Sequence, residues 1–468
     1  MFTLEKAVHG HGGLLPLSYL LGLADRLRQR LSLEGPRWGS DAWMGHAVSG
    51  QVALALHDYP PAVEAFQAVI AFEGDDGWAQ AMGTTHHQIG RVYAEQRDWD
   101  KALDNYRRAI EWKEKTGQGH QIGRTYHQIG MAYAEQRDWD KALDNYRLAI
   151  EWMEKTGQGH EIGVAYHQIG MLYAEQGDWD KSLDNYRRAI EWKEKTGQGH
   201  EIGSTYGQIG IAYAEQSDWD KALENYRRAT EWFEKTGQGH EIGGIYHQIG
   251  MAYAEQGDWE NALDNYRRAI EWKEKTGQGH EIGGTYHQIG MVYAEQGDWD
   301  NALDNYRLAI EWKEKTGQGH AIGITYHQIG MAYAEQGDWD KALDNYRRAV
   351  EWLEKTGQGH EVPATLGQIG ALFMARGMLP EAAESLVLAI QGHMEHGVPQ
   401  FEHLVIYAHR GQKVLLLAER EGQEANAEGP ISALRTLFAE LASSNEDWAE
   451  LIQELGKQVD DELHAEPQ

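Results

Sequence analysis

One pentapeptide, Tyr-His-Gln-Ile-Gly, recurs along the sequence at a spacing of 40 residues without an insertion. It stands at 126–130 and begins again at 166, 246, 286 and 326, and variants of it begin at 86 and 206. A fixed period of this length is the signature of a repeat architecture. The sequence therefore predicts seven near-identical repeats over 81–360, flanked by two divergent repeats at 41–80 and 361–400.

Each repeat has the pattern of two amphipathic helices joined by a turn. In the repeat 161–200, the first helix is predicted over Ile162–Gln176, because apolar residues stand at helical spacings of three and four, at Ile162, Tyr166, Ile169 and Tyr173. Gly177 then supplies a position that tolerates positive φ, and Asp178 is a candidate helix N-cap. A second apolar stripe follows from Trp179, and this helix is expected to extend to about Lys195. The pattern predicts a helical hairpin.

A single hairpin of this kind cannot bury its own apolar stripe, whereas stacked hairpins bury a continuous core. We therefore expect the nine repeats over 41–400 to stack, with different sequences covering the two ends. Residues 1–40, with a helix near Leu14–Leu31, are predicted to cap the first repeat. Residues 401–468 are predicted to cap the last one, with helices near His403–Arg420 and Pro430–His464 joined by an acidic linker at 421–429.

The residues within each repeat resemble those of the tetratricopeptide repeat. In the repeat 161–200 the match in order and spacing comprises Tyr166, Ile169, Gly170, Tyr173, Ala174, Ser182, Tyr186 and Ala189. This resemblance implies an all-α fold, a right-handed superhelical α-solenoid of helical hairpins. The 40-residue length, with Glu194 where the family usually has proline, is similar to the long repeats of Pins-type spindle-orientation adaptors and kinesin light chains. The resemblance implies an adaptor that binds an extended peptide in a concave groove.

The same resemblance assigns a variable residue, a histidine, a methionine and a glutamate of each repeat to the concave face. The candidate partner-binding residues are His127, Met131, Glu135, His167, Met171, Glu175, His247, Met251, Glu255, His287, Met291, Glu295, His327, Met331, Glu335, Arg91 and Arg124. Methionine adapts to irregular apolar shapes, so this strip suits an amphipathic, basic segment. The alternative is that the methionines and histidines only fill gaps between helices.

Charge and composition narrow the classes of partner. The formal net charge is −30, from 73 acidic and 43 basic side chains. Such a field repels phosphate backbones and anionic lipids, so we expect a protein or peptide partner, no nucleic acid and no membrane. The alternative is that the charge only keeps a long, exposed array soluble. The chain has no cysteine, which excludes disulfides and thiolate chemistry. No apolar run approaches the length of a membrane span, and we predict a cytoplasmic protein.

The sequence predicts no enzyme, no cofactor and no metal site. Equivalent histidines of successive hairpins are separated by about 8–10 Å, the packing distance of helices, which is too far to share one ion. The segment Gly197–Gly203 contains glycines but lacks the strand before it and the lysine of a phosphate-binding loop. Many histidines titrating together predict a surface that changes charge near pH 6.

Two functions remain open at this level. The first is a non-enzymatic adaptor that binds a peptide or protein segment in the concave groove. The second is a self-assembling structural module, a homo-oligomer formed through nearly uniform repeats. The divergent end repeats argue against open-ended stacking, because capping ends stop growth.

Overall fold

The computed structural model describes residues 42–72, 76–396, 401–421, 429–444 and 446–465. Over these residues the secondary structure is helical, and the described part contains no strand. The helix predicted near Leu14–Leu31 and the linker residues 422–428 lie outside the described residues. Contacts divide the chain into two compact units, Met1–Gly237 and Gln238–Gln468, called here the N-terminal unit and the C-terminal unit.

Each unit is a series of antiparallel helical hairpins. The helices of the N-terminal unit are α1 Ala42–Ala55, α2 Tyr59–Ala71, α3 Asp76–Glu95, α4 Trp99–Lys115, α5 Ile122–Glu135, α6 Trp139–Lys155, α7 Gly159–Glu175, α8 Trp179–Lys195, α9 Gly199–Glu215 and α10 Trp219–Thr236. Those of the C-terminal unit are α11 Gly239–Glu255, α12 Trp259–Lys275, α13 Gly279–Glu295, α14 Trp299–Lys315, α15 Ile322–Glu335, α16 Trp339–Lys355, α17 Val362–Ala375, α18 Leu379–His396, α19 Phe401–Arg420, α20 Pro430–Ser444 and α21 Glu446–Ala465. The predicted all-α class is confirmed.

Local chemistry explains where the helices of a repeat begin and end. Gly177 adopts φ 73° between α7 and α8, as expected of a residue without a Cβ at a helix C-terminus. The Asp178 side chain accepts a hydrogen bond of 3.2 Å from the backbone N–H of Lys181, which confirms the predicted N-cap. The second helix ends at Lys195, so the predicted extension beyond the usual proline position is also confirmed.

The core of a hairpin forms where its two helices approach most closely. A Cβ on Gly170 would lie 2.6 Å from the ring of Tyr186, so only glycine lets the ring pack against the helix backbone. Tyr186 is buried, and Ile162 and Ile169 of the first helix are buried in a cluster with Tyr146 of the preceding hairpin. Trp139 and Trp192 are partly buried and pack against the same cluster.

Two predicted helix boundaries differ from the structure. The first helix of the repeat 161–200 begins at Gly159, three residues before the predicted Ile162. The helix predicted over Pro430–His464 is two helices, α20 and α21, which pack on each other. The sequence Ser443-Ser444 precedes the break, and serine favours hydrogen bonds to nearby backbone over continued helix. Among the described helices, none combines the length and the hydropathy that crossing a bilayer requires.

Candidate partner-binding face

The first helices of successive hairpins form one continuous side of each unit, called here the first-helix face. In the N-terminal unit α3 contacts α5 and α5 contacts α7, and in the C-terminal unit α11 contacts α13. Each of these pairs is separated in sequence by a whole second helix, so their direct contact means that the hairpins lean together on this side. The second helices form the opposite side, called here the second-helix face.

The methionines and glutamates of the predicted strip are accessible on the first-helix face. Met131 is 41% exposed, and Met251, Met291 and Met331 have similar exposure, while Met171 is half-buried. Every predicted glutamate is exposed, namely Glu135, Glu175, Glu255, Glu295 and Glu335. An apolar side chain and a carboxylate, one helical turn apart, therefore recur on the same face in each of these repeats.

The histidines of the strip have a different environment, because they bridge adjacent repeats. Nδ1 of His167 lies 3.1 Å from Oγ1 of Thr205 in the next repeat, and its ring packs 5.4 Å from the ring of Tyr186. The same hydrogen bond, at 2.9–3.1 Å, joins His87 to Thr125, His247 to Thr285, His287 to Thr325 and His327 to Thr365. These imidazoles are half-buried and hold successive hairpins together.

A buried lysine meets the same threonine from the other side. Nζ of Lys193, whose side chain is almost fully buried, donates a hydrogen bond of 2.9 Å to Oγ1 of Thr205. Equivalent bonds of 2.7–3.1 Å join Lys113 to Thr125, Lys273 to Thr285 and Lys313 to Thr325. A buried ammonium is tolerated only when it is hydrogen-bonded. Each threonine hydroxyl thus connects a lysine of the preceding second helix with a histidine of the preceding first helix.

Three of the near-identical repeats lack the lysine, at Met153, Phe233 and Leu353. The first two also lack the hydroxyl that follows, which supports this interpretation, whereas Leu353 is still followed by Thr365, which bonds to His327. Met153 occupies the lysine position and Ala165 the threonine position that follows it. Both are buried, and Nδ1 of His127, which would otherwise bond to a threonine at 165, is buried without a hydrogen-bond partner. The polar pair and the apolar pair are therefore alternative solutions to the same packing position.

Burial controls the protonation of this network. Desolvation lowers the pKa of His127, His247, His287 and His327 to about 4 and that of His167 to about 3. The expectation that the histidines of the strip change charge near pH 6 is therefore wrong, because these imidazoles are neutral there. Burial also lowers the pKa of Lys113 to about 7 and that of Lys313 to about 8.

The two predicted arginines are engaged within the protein. Arg91 is half-buried and donates a hydrogen bond of 3.3 Å from Nη1 to Oε1 of Gln88. Arg124 is exposed and forms an ion pair with Glu161 of the next repeat. Its guanidinium therefore links two repeats on the first-helix face.

A depression of about 450 Å³ opens on this face of the C-terminal unit, between α11 and α13. Gly244 and Gly284 lie at its rim, and a Cβ added at either glycine would have no neighbour within 4 Å. Glycine inside a helix costs about 0.5–1 kcal/mol relative to alanine. No packing contact requires glycine at either position. The two glycines leave open space above the helices, where a larger side chain would stand.

Grooves of a different composition recur on the second-helix face. One of about 430 Å³ lies beside Arg187 and Tyr213 in the N-terminal unit, and its counterpart of about 410 Å³ lies beside Arg307 and Tyr333 in the C-terminal unit. In each, the arginine donates to the tyrosine hydroxyl of the next repeat, at 2.7 and 2.8 Å. Carboxylates and basic side chains alternate around both grooves. Within the described ranges, no group of three or more histidines, aspartates or glutamates is arranged to hold a metal ion.

Comparison with known families identifies the architecture. The model of the tetratricopeptide repeat matches residues 81–155, 161–235, 241–315 and 321–392, which is more than half of the chain. The chain belongs to the tetratricopeptide repeat family. Proteins built of tetratricopeptide repeats are protein-interaction scaffolds and are generally not enzymes, and the match supports this class for the chain.

Several solved structures are similar to this chain at low sequence identity. A signal transduction ATPase with numerous domains and a tetratricopeptide repeat sensor, from Pyrococcus horikoshii, is 14% identical with a TM-score of 0.51, over 81% of this chain and 55% of that one. A putative kinesin light chain with nearly identical repeats, from Podospora anserina, is 16% identical with a TM-score of 0.36, over 41% and 95%. Aspartyl phosphate phosphatase F from Bacillus subtilis is 12% identical with a TM-score of 0.47, over 73% and 96%. A search of curated proteins finds no match.

The lysine and threonine positions of these tetratricopeptide repeats were not among the residues predicted for the strip. A signal for them exists in the sequence, since Lys193 is followed twelve residues later by Thr205, whereas Met153 is followed by Ala165. Joint substitution of the two positions, here and again at Phe233 and Ile245, indicates contact, while Leu353 followed by Thr365 shows that the threonine is also kept without the lysine. The glycines at 244 and 284 are also recognisable in the sequence, because the repeat 161–200 has a larger residue, Val164, at the equivalent position.

Proposed function

We propose that this protein is a non-enzymatic scaffold that binds an extended, basic and amphipathic peptide segment of a partner protein along the first-helix face. The observation that carries the proposal is the recurrence of an exposed methionine and an exposed glutamate on that face. Met251 with Glu255 and Met291 with Glu295 are examples in neighbouring repeats. Methionine is used frequently at binding surfaces that adapt to partners of different shape.

The two side-chain types have complementary roles in this proposal. Methionine is flexible and polarizable, so it packs against apolar side chains of different shapes. The glutamates attract lysine and arginine side chains of the segment and fix its direction across successive repeats. The net charge of −30 favours encounter with a basic segment and opposes encounter with nucleic acid or anionic membranes.

In this proposal, the histidines and arginines of the predicted strip stabilise the binding face. His167, His247 and their equivalents hold the repeats in register through the threonine hydroxyls. Arg124 does the same through Glu161. Their replacement is therefore expected to change stability more than affinity. The cytoplasmic location stays a prediction, which subcellular fractionation tests.

The test begins with selection of peptides on the intact protein from a random display library. The affinity of one selected synthetic peptide is then measured by fluorescence anisotropy. Replacing Glu255, Glu295 and Glu335 of the C-terminal unit together by lysine is expected to weaken binding at least tenfold, because three favourable charge contacts become repulsive.

A control must separate the local contact from the change in overall charge. Replacing Glu154, Glu194 and Glu274 by lysine changes the net charge equally, but these exposed glutamates lie on second helices. We expect this control to bind within threefold of the unchanged protein at 0.15 M salt, where distant charges are screened. Equal weakening by both triple variants would contradict the proposed face, and absence of any selected peptide would contradict peptide binding.

Self-association is the second candidate, and one observation favours it. Leu308 on the second-helix face is exposed, and Leu148 is exposed at the equivalent position of an N-terminal repeat, where most other repeats have arginine. Light scattering at several concentrations tests this candidate. Growth in mass that is abolished by Leu148→Arg and Leu308→Arg would support self-association through the second-helix face.

A further inference from the structure

We propose that the depression between α11 and α13 binds one aromatic side chain that carries a hydrogen-bonding edge, a tyrosine or a tryptophan of the bound segment. This inference rests on the proposed function, since it assigns one subsite within the first-helix face. It names a position in the partner that the recurring methionines and glutamates alone do not specify.

The first argument is the pair of helical glycines. Gly244 and Gly284 occupy equivalent positions of neighbouring repeats, in the middle of α11 and α13, where glycine is unfavourable. Gly170 is needed because Tyr186 packs against it, but a Cβ at 244 or 284 would meet nothing. The adjacent repeats have larger residues at this position, for example Ile324. The two glycines therefore leave room for a group that is not part of the chain.

The second argument is the state of the charged groups that line the depression. Lys273 donates to Thr285 and pairs with Glu281 at 3.3 Å. Lys313 donates to Thr325 at 2.7 Å and to the carbonyl oxygen of Ala321 at 3.0 Å. The Lys273 ammonium is paired with a carboxylate, whereas the Lys313 ammonium is held by two neutral oxygens. Both lysines are almost fully buried, so neither presents an exposed charge to a guest, and the depression favours a neutral guest.

The third argument is the set of polar groups that remain available. The side-chain amides of Gln248 and Gln288 line the depression and make no hydrogen bond within the described part of the chain. His247 and His287 use Nδ1 to contact Thr285 and Thr325, which leaves Nε2 of each ring without a partner there. These groups are neutral, and they can donate to or accept from a phenol hydroxyl or an indole N–H.

Size and shape favour a ring over a flexible chain. A volume of about 450 Å³ accommodates a tyrosine or tryptophan side chain. An aromatic residue brings a large apolar area with few rotatable bonds, and its polar edge prefers a hydrogen-bonding partner when buried. Such residues are the commonest anchors of protein interfaces. An aromatic ring would find both flat surfaces and polar partners here, in the imidazoles of His247 and His287 and in the two glutamine amides.

One repeat of the chain naturally has a larger residue where this subsite has glycine. The repeat 161–200 has Val164 at the position of Gly244, followed by the same histidine, glutamine and methionine at His167, Gln168 and Met171. Gly244→Val and Gly284→Val therefore introduce a residue that this helix already accepts. The double variant fills the depression while leaving the network of lysine, threonine and histidine in place.

The experiment compares peptide selection from a random display library on the intact protein and on the intact Gly244→Val, Gly284→Val variant. We expect the unchanged protein to enrich tyrosine or tryptophan at one position fixed relative to basic residues, and the variant to lose that preference. A synthetic selected peptide should bind the variant at least tenfold more weakly. The same peptide with leucine at the aromatic position should bind both proteins with equally low affinity.

The outcomes separate the two proposals. Circular dichroism and thermal melting of the variant should match those of the unchanged protein, which establishes that filling the depression has not unfolded it. If the variant melts early, Gly244→Ala alone provides a milder filling and should still weaken the peptide. An aromatic preference that persists in the folded variant, or selected peptides without one, would overturn this inference while leaving the proposed function standing. If the unchanged protein selects no peptide at all, the proposed function fails and the inference fails with it.

Discussion

Nζ of Lys193 donates a hydrogen bond of 2.9 Å to Oγ1 of Thr205, and the lysine residue is only 2% exposed. The two residues belong to consecutive hairpins, so the bond joins one repeat to the next inside the protein. The array is held together by polar contacts at its first-helix side as well as by its apolar core. Because the energy of a repeat protein is largely a sum over repeats and their interfaces, each such contact affects stability directly.

Removing the hydroxyl alone should be costly. Thr205→Ala leaves the buried ammonium of Lys193 without one acceptor, which is expected to lower the free energy of unfolding by about 1–3 kcal/mol. The double variant Lys193→Met, Thr205→Ala copies the native pair Met153 and Ala165 and should recover most of that loss. Urea denaturation followed by circular dichroism measures both. A double variant as unstable as the single one would show that the pair is not coupled.

Burial of Lys113 predicts that the free energy of unfolding rises with pH. Burial, with a smaller contribution from Arg124, lowers its pKa from 10.5 to about 7 in the folded state. Between these two values the unfolded chain binds more protons than the folded one, so the free energy of unfolding increases with pH. We expect this rise between pH 7 and 9, and we expect it to be smaller in Lys113→Met, Thr125→Ala. Identical slopes in the two proteins would contradict the assignment.

The histidine row predicts a loss of stability in acid. Burial holds the folded pKa of His247 and His287 at about 4, compared with the ordinary value of 6.5. As the pH falls from 6.5 towards 4 the unfolded chain takes up protons that the folded chain does not, so stability decreases. Replacing both histidines by glutamine should reduce the difference in unfolding free energy between pH 7.5 and pH 5. An unchanged difference would mean that these rings are accessible to protons in the folded protein.

Glycine substitutions at three turns inside the hairpins are predicted to stabilise the folded protein. Arg97, Arg137 and Ser217 adopt φ of 57–59°, in the left-handed region where Gly177 and its equivalents stand in other repeats. A residue with a Cβ is disfavoured there, so replacement by glycine should raise stability by about 1 kcal/mol at each position. Thermal melting of the triple glycine variant checks this expectation. A lower melting temperature would show that the side chains of these residues contribute more than the backbone strain removes.

Most of the fold follows from the sequence because its signals are local and recur from one hairpin to the next. Helical spacing, the Gly177 turn and the Asp178 cap each act within a few residues, and each was found as predicted. The role of the histidines did not follow, because His167 meets Thr205 across 38 residues and two turns. Helical spacing places a side chain on a face but does not say whether the next hairpin covers it. The depression at Gly244 could not be predicted for the same reason, because residues of the next hairpin form its other side.

The central claim is that a partner segment lies on the first-helix face, and site-specific photo-crosslinking tests it most directly. Met291 on α13 and Leu308 on α14 are each 38% exposed, so they form a matched pair on the two faces of the same repeat. A photoreactive benzoylphenylalanine is placed at one position or the other, and a selected peptide is added at saturating concentration. The account predicts that the peptide crosslinks to position 291 and not to position 308. Crosslinking at position 308 alone, or equally at both, would contradict it.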